Sequence, residues 1–437
     1  MNTTEFKRRR KQLMRIMGAD SIAILPAASE SVRNRDVHYR YRPDSDFYYL
    51  TGFAEPDAVA VLIPGRKHAE YILFCRPHDK TRAMWDGDMA GQEGAIEKYA
   101  ADDSFPIGDL DEILPRMLEE KSRIFYAMGC NQELDHRLSD WITRIKQQSR
   151  AGLQSPLEII ELDHYLHDMR LYKSRAEITL MRKAANISAQ AHKTVMRHCK
   201  PGVMEYQLEA HFQHSCAMHG ARELAYPSIV GAGNNACVLH YIDNRDELKD
   251  NQMLLIDAGC ELEHYASDIT RTFPVNGKFN EAQAQLYQIV LDAQLAAIDK
   301  VKPGNHWNEP HEAAVKVITK GLLKLGLLKG TLANALRKES YRKFYMHRTG
   351  HWLGMDVHDV GDYKIDGQWR QLEPGMVLTV EPGLYIPEGT RGVAKKYCGI
   401  GIRIEDDVVV TKDGHEVLSK KVPKEIAEIE ALMGARH

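Results

Sequence analysis

Five residues with metal-ligand chemistry, Asp257, Asp268, His351, Glu381 and Glu405, each sit in a short apolar context of their own. Four carboxylates and one imidazole are too acidic a set to share a pocket uncompensated. Two divalent cations would compensate them, because carboxylate oxygens are hard ligands that can bridge two metals. If the five converge, the chemistry they support is two-metal hydrolysis.

Those contexts are also the elements that must deliver the side chains. Met253-Leu254-Leu255-Ile256 runs apolar into Asp257, as a buried strand ending in an acid. Tyr265 through Phe273, rich in β-branched and aromatic residues, reads as a second strand and carries Asp268. A hairpin turning at Leu262-Glu263 sets the two aspartates opposite each other on one face, where they need a shared proton or a cation. His347, His351 and His358 fall within twelve residues. Gly350, Gly354 and the lack of a glutamate after His347 argue against a helical zinc motif, so this segment is loop or strand. Gly375 to Val380 is another buried strand, delivering Glu381 and stopped by Pro382-Gly383. Alternation from Gly401 to Val410 places Arg403 and Glu405 on one face, Ile402 and Ile404 on the other. Singly, each acid or histidine is more often a turn or surface group. Together they are harder to dismiss, since buried charges persist only when paired or metal-bound.

The ordered set Leu254-Leu255-Ile256-Asp257-Ala258-Gly259, Ser267-Asp268-Ile269-Thr270-Arg271, Gly350-His351-Trp352-Leu353-Gly354, Val380-Glu381-Pro382-Gly383 and Gly401-Ile402-Arg403-Ile404-Glu405 resembles the pita-bread metallopeptidases. Within them it is most similar to the Xaa-Pro aminopeptidases (the aminopeptidase P group). Asn34-Arg35-Asp36 and the stretch from Tyr39 to Phe53 resemble the amino-terminal domain of that group. The resemblance implies α/β followed by α+β: a creatinase-like α/β domain over 1–170 that serves oligomerisation, then a pita-bread, internally duplicated α+β catalytic domain over 171–437. It also implies that Asp257, Asp268, His351, Glu381 and Glu405 bind two Mn²⁺ ions per subunit, with Zn²⁺ or Co²⁺ as alternatives. Asp268 and Glu405 match the positions that bridge both ions.

By the same likeness Glu381 is the proton carrier, His240 lies near the leaving nitrogen, and His358 donates to the carbonyl oxygen. His347, Tyr385 and Arg403 match a proline pocket, and Trp85 an aromatic contributed across a subunit boundary of a homotetramer. Proline lacks an N–H and has a locked φ, so such a pocket must hold the ring by shape. The implied reaction is hydrolysis of the amino-terminal Xaa-Pro bond of peptides, in the trans isomer, by a hydroxide bridging two divalent metals. Two alternatives stand beside it: a prolidase restricted to Xaa-Pro dipeptides, and a non-catalytic pita-bread binding module. The His351-Trp352 context and the amino-terminal motif favour the aminopeptidase over the first. Retention of all five ligand positions, with His240 and His358, argues against the second.

The remaining sequence narrows the class. A chain of 437 residues exceeds one typical core, and a formal net charge of -3 gives no global field for nucleic acid or anionic membrane. No run approaches the roughly 18 apolar residues of a membrane span. Lys7 to Lys11 reads as the exposed face of an amino-terminal helix, with Phe6, Leu13, Met14 and Met17 opposite, and no apolar segment of a secretory signal follows. The seven cysteines stand singly, as free thiols of a reducing compartment, so a cytoplasmic location is expected.

Ser21–Leu25, Arg123–Tyr126 and a hairpin of Ala58–Ile63 with Tyr71–Phe74 are strands of the first half, which assembles no catalytic set and reads as scaffold. The boundary falls near Leu171-Tyr172-Lys173. After it, Ser174-Arg175-Ala176-Glu177 is a capping box opening a helix with Ile178, Met181, Ala185, Ala189 and His192 on one side.

Overall fold

The apolar runs of the first half pair into a six-stranded mixed sheet in the computed structural model, which describes residues 1–119 and 121–435. The spatial order is Asp103–Pro106, Tyr71–Cys75, Val59–Leu62, Ser21–Pro26, Arg123–Phe125, Glu158–Ile160. Val59–Leu62 and Tyr71–Cys75 form the expected antiparallel hairpin, while Ser21–Pro26 runs parallel to Arg123–Phe125. Ile22, Ile24, Val61, Phe74 and Ile124 pack against Leu110, Leu114, Leu138 and Trp141 of helices Leu110–Leu118 and Gln132–Gln147. This mixed α/β unit spans Met1–Met169, and a second unit begins at Arg170.

The amino-terminal helix, Thr3–Met17, buries Phe6, Leu13 and Met17 as expected, but its basic run is not all on the solvent face. Arg9 and Arg10 are buried. Five consecutive residues turn through more than a full circle of a helix with 3.6 residues per turn, so some must face inward. Arg9 donates to the Tyr49 carbonyl at 3.0 Å and lies over the Tyr49 ring; Arg10 donates to the Leu50 carbonyl at 2.8 Å and lies over Tyr71. Those carbonyls end helix Ser45–Thr51 and have no partner within it, so the guanidinium groups cap a helix terminus.

The second unit is α+β and repeats one order of elements. Helices Arg175–His198 and Glu205–Met218 pack together and precede strands Ile229–Ala232, Met253–Asp257 and Thr270–Pro274. Helices Glu281–Ile298 and Glu309–Lys324 then pack together and precede Val377–Val380, Gly383–Ile386, Ile400–Arg403 and Asp406–Val410. The Ser174–Glu177 capping box is formed, with both reciprocal hydrogen bonds. All seven cysteines are free thiols, and no helix among the described residues is long and apolar enough to cross a membrane.

The hairpin that carries the two aspartates differs from expectation in register. Asp257 pairs with Thr270, not with Asp268, because the turn lies one residue later, at Glu263-His264. Both turn residues are left-handed, with φ of 48° and 65°. That is the geometry of a two-residue turn matched to strand twist, without the usual Asn or Gly to announce it. Asp268 sits two positions from Asp257's partner, so the carboxylates still share a face, diagonally. Between them the chain pinches: a Cβ on Gly259 would lie 1.7 Å from the Ser267 carbonyl oxygen, which only glycine avoids.

Behind that pinch His192 is fully buried, its Nε2 3.0 Å from the Ala258 carbonyl oxygen. Burial pushes its pKa from the ordinary 6.5 down to about 3. Between those values the unfolded chain binds a proton the native state refuses, so stability present above pH 6.5 is lost progressively as pH falls toward 3. The urea midpoint of the wild type should therefore drop more steeply over that window than that of His192→Gln. Equal slopes would contradict the assignment.

Candidate metal centre

Strand ends deliver the five candidate ligands. Asp257 closes Met253–Asp257, Glu381 follows Val377–Val380, and Glu405 lies in the break between Ile400–Arg403 and Asp406–Val410. Asp268 precedes Thr270–Pro274, and His351 sits in a loop, as its flanking glycines require. All five line a single cavity of about 380 Å³, with Tyr226, His240, His347, His358 and Arg403. Ligand atoms of Asp268, His351 and Glu405 lie within 4.8 Å of one another. His351 Nε2 is 3.3 Å from Asp268 Oδ2 and 3.6 Å from Glu381 Oε1. Its Nδ1 is 2.9 Å from the Trp352 carbonyl oxygen, which can only accept, so Nδ1 carries a proton and Nε2 faces the carboxylates.

The electrostatics of this set point to cations. Burial raises Glu381 to about 7, holds Asp257 above its ordinary range, and raises Glu405 well above its own. Burial also works against a charged His351, but the Asp268 hydrogen bond and the Glu381 and Asp268 charges outweigh it and raise the imidazole to about 9. Burial favours protonating Asp268 too, yet its hydrogen bond to His351 and the His351 charge bring it below the usual carboxylate range. Without metal, the pocket keeps surplus protons to hold these acids together. Hard oxygen donors and one imidazole that must shed protons are a donor set fitted to divalent cations.

Arg403 supplies the fixed positive charge. It is buried, donates to Asp257 Oδ2 at 2.7 Å, to the Tyr385 hydroxyl at 3.0 Å and to Thr270 Oγ1 at 3.1 Å. Thr270 in turn donates its hydroxyl hydrogen bond to Glu405 Oε2 at 2.6 Å. His347 Nδ1 faces the Arg348 carbonyl oxygen at 2.7 Å, so it carries the proton and Nε2 accepts from Tyr385 at 2.8 Å. Burial lowers the His347 pKa to about 3, which keeps this ring neutral. Tyr385 therefore stands behind the cavity wall, braced between His347 and Arg403. Trp85 is on helix Lys80–Asp86 of the first unit, 85% exposed, and is not among the residues lining the cavity.

Several residues of the site carry no local signal. Tyr226, in a segment without clear periodicity, lies with its hydroxyl 2.7 Å from Asp257 Oδ1 and 2.5 Å from Asp268 Oδ1. Asp407 accepts from the Asp268 amide, and Asp406 from Arg271, Gln294, Ser419 and Lys424. The run of three acids at 405–407 between apolar residues was the available hint. In the first unit, Asp46, Asp163 and His167 also bring ligand atoms within 4.8 Å of one another. Spacing does not reveal that group, since two helices contribute to it.

The turn carrying His358 is held by charge. Asp359 is buried and accepts from Arg170 at 2.6 Å and Lys173 at 2.8 Å; Arg170 also donates to Asp356 at 2.7 Å. Removing one partner of a buried ion pair leaves the other undercompensated, so Lys173→Met should lower unfolding free energy by about 3 kcal/mol in urea titration. An unchanged midpoint would count against this anchor.

Comparison with known proteins agrees with the geometry. Residues 179–412 match the model of metallopeptidase family M24, and residues 6–132 that of the aminopeptidase P N-terminal domain. The chain is 44% identical to Xaa-Pro aminopeptidase of Escherichia coli over 432 residues, 99% of this chain and 98% of the relative. Its fold superposes on aminopeptidase PepP of Pseudomonas aeruginosa with a TM-score of 0.99 at 58% identity, covering 100% of this chain and 98% of that one. A zinc-substituted E. coli aminopeptidase P in complex with product matches with a TM-score of 0.96 at 44% identity, covering 100% and 99%.

Proposed function

Because the chain belongs to metallopeptidase family M24 and carries an aminopeptidase P amino-terminal domain, we propose that it hydrolyses the amino-terminal Xaa-Pro bond of peptides. The observation that carries this reading is the convergence of Asp257, Asp268, His351, Glu381 and Glu405 on one cavity that also presents His240, His347 and His358. The five residues would hold two divalent ions per subunit, Mn²⁺ in our reading. When bound, the ions supply a water acidic enough to attack at neutral pH and a Lewis acid for the substrate.

The chain's own groups do the rest. Glu381, a carboxylate lining the cavity beside the reacting water, takes its proton and hands it on toward the leaving nitrogen. Burial and the neighbouring His351 lower the His358 pKa, so its imidazole is neutral and offers one N–H to the carbonyl oxygen as charge grows there. His240 hydrogen-bonds beside the scissile nitrogen. The neutral His347 ring, stiffened by Tyr385 and Arg403, forms a wall for the proline ring, which offers no N–H to grip. Exposed Trp85 suits a subunit contact, in keeping with residues 1–170 serving assembly of a homotetramer, and the enzyme works in the cytoplasm on peptides with proline at the second position.

The test is direct. Manganese-loaded protein is offered an Xaa-Pro-Yaa tripeptide, an Xaa-Pro dipeptide and an Xaa-Ala-Yaa control. Release of the first residue from the tripeptide in preference to both others is expected. Dipeptide preference would turn the reading into a prolidase, and no cleavage with any divalent metal would end it.

A further inference from the structure

His240 has no regular element of its own. It lies, exposed, in a turn after the short 3-10 segment Gly233–Cys237, yet it must meet a reacting bond with accuracy. The loop is fixed from behind by one carboxylate. Glu205, the first residue of helix Glu205–Met218, is fully buried. Its Oε1 accepts from the Ala232 amide at 2.8 Å and Asn235 Nδ2 at 3.1 Å, its Oε2 from the Tyr241 hydroxyl at 2.8 Å and the Asp246 amide at 3.0 Å. Four donors fill the lone-pair sites of a carboxylate, and the helix N-terminus favours its charge.

These donors bracket His240 from residue 232 to residue 246, and one belongs to the adjacent residue. Burial and the Glu205 hydrogen bond raise the Tyr241 pKa to about 12, so the phenol remains a donor. Leu239 and Tyr241, on either side of His240, pack on Ile229, Ala236, Leu255 and Tyr385. Both neighbours of the histidine are thus tied down while its own ring is left to face the cavity.

We propose that Glu205 is a positioning residue for the reaction: it holds the 232–246 segment so that His240 meets the scissile nitrogen. The inference rests on the reading of His240 given above. Glu205→Gln keeps the shape but turns an amide NH₂ toward two of the four donors. Tyr241→Phe removes a single donor, the one next to His240, and leaves three.

The test is a double-mutant cycle with His240→Ala on the manganese-loaded enzyme, reading kcat and KM for an Xaa-Pro-Yaa peptide, with melting temperature as a check on folding. Misplacing His240 by a fraction of an ångström to one ångström should lower kcat by about 10–100-fold in Glu205→Gln, with KM changed less than about threefold. Tyr241→Phe should lower kcat in the same direction by about 3–10-fold. In the His240→Ala background each should cost less than about twofold, because the group they position is gone. A penalty of equal factor with and without His240 would overturn the proposal and reduce Glu205 to a fold stabiliser. If Glu205→Gln does not fold, the Tyr241→Phe cycle decides by the same criterion. A fully active His240→Ala enzyme would instead remove the role of His240, and this proposal with it, while leaving Xaa-Pro hydrolysis standing.

Discussion

Stripping divalent cations should abolish peptide hydrolysis, by at least about 10³-fold, and adding manganese back should restore it. The same experiment has a signature that does not depend on turnover. In the metal-free protein Glu381 is raised from 4.5 to about 7 and His351 from 6.5 to about 9. Groups whose pKa rises on folding stabilise the native state below their unfolded value, and that contribution is lost as pH climbs through the folded one. In the metal-free protein the stabilisation contributed by these two groups is therefore lost between pH 4.5 and pH 9. Metal binding displaces those protons, so the gap in melting temperature between loaded and stripped protein widens with rising pH over that window. Calorimetry in buffers of different ionisation enthalpy should register proton release on manganese addition at pH 8. A gap independent of pH, with no proton released, would show that these side chains do not ligate the ions.

Glu381→Gln should lower kcat by about 10²–10⁴-fold with a much smaller change in KM. The carboxylate has its Oε1 3.6 Å from His351 Nε2 and Oε2 3.9 Å from His347 Nδ1, between the candidate ligands and the proposed wall of a proline pocket. An amide of the same shape can still contact a cation through its oxygen, but it cannot accept the proton. The loss should therefore fall on kcat, with the pH profile losing its acidic limb. A variant within tenfold of wild-type kcat would move the proton carrier elsewhere.

The strands that deliver the ligands were the most legible part of the sequence. Apolar runs stopping at Asp257 and at Glu381 announce a buried strand whose end meets a polar pocket, and both elements form. What was hidden is what depends on three dimensions. Glu263-His264 is a left-handed turn without the residues that usually mark one, so the register slipped by two in the reading. Arg9 and Arg10 look like solvent charges until the carbonyls ending helix Ser45–Thr51 are placed beside them. Tyr226 and Glu205 belong to no periodic pattern, and their roles come from hydrogen bonds to Asp257, Asp268 and the 232–246 segment. Likeness to the Xaa-Pro aminopeptidases filled part of that gap, because His240 and His358 carry no spacing signal of their own.

The measurement that bears most directly on the central claim is anomalous X-ray scattering at the manganese edge from crystals of the metal-loaded protein. Two ions about 3.5–4 Å apart are expected, both within coordination distance of Asp268 and Glu405, with Asp257, His351 and Glu381 completing the cage. Anomalous density that is absent from this cavity, or a single ion that leaves Asp257 or Glu381 turned away, would contradict it.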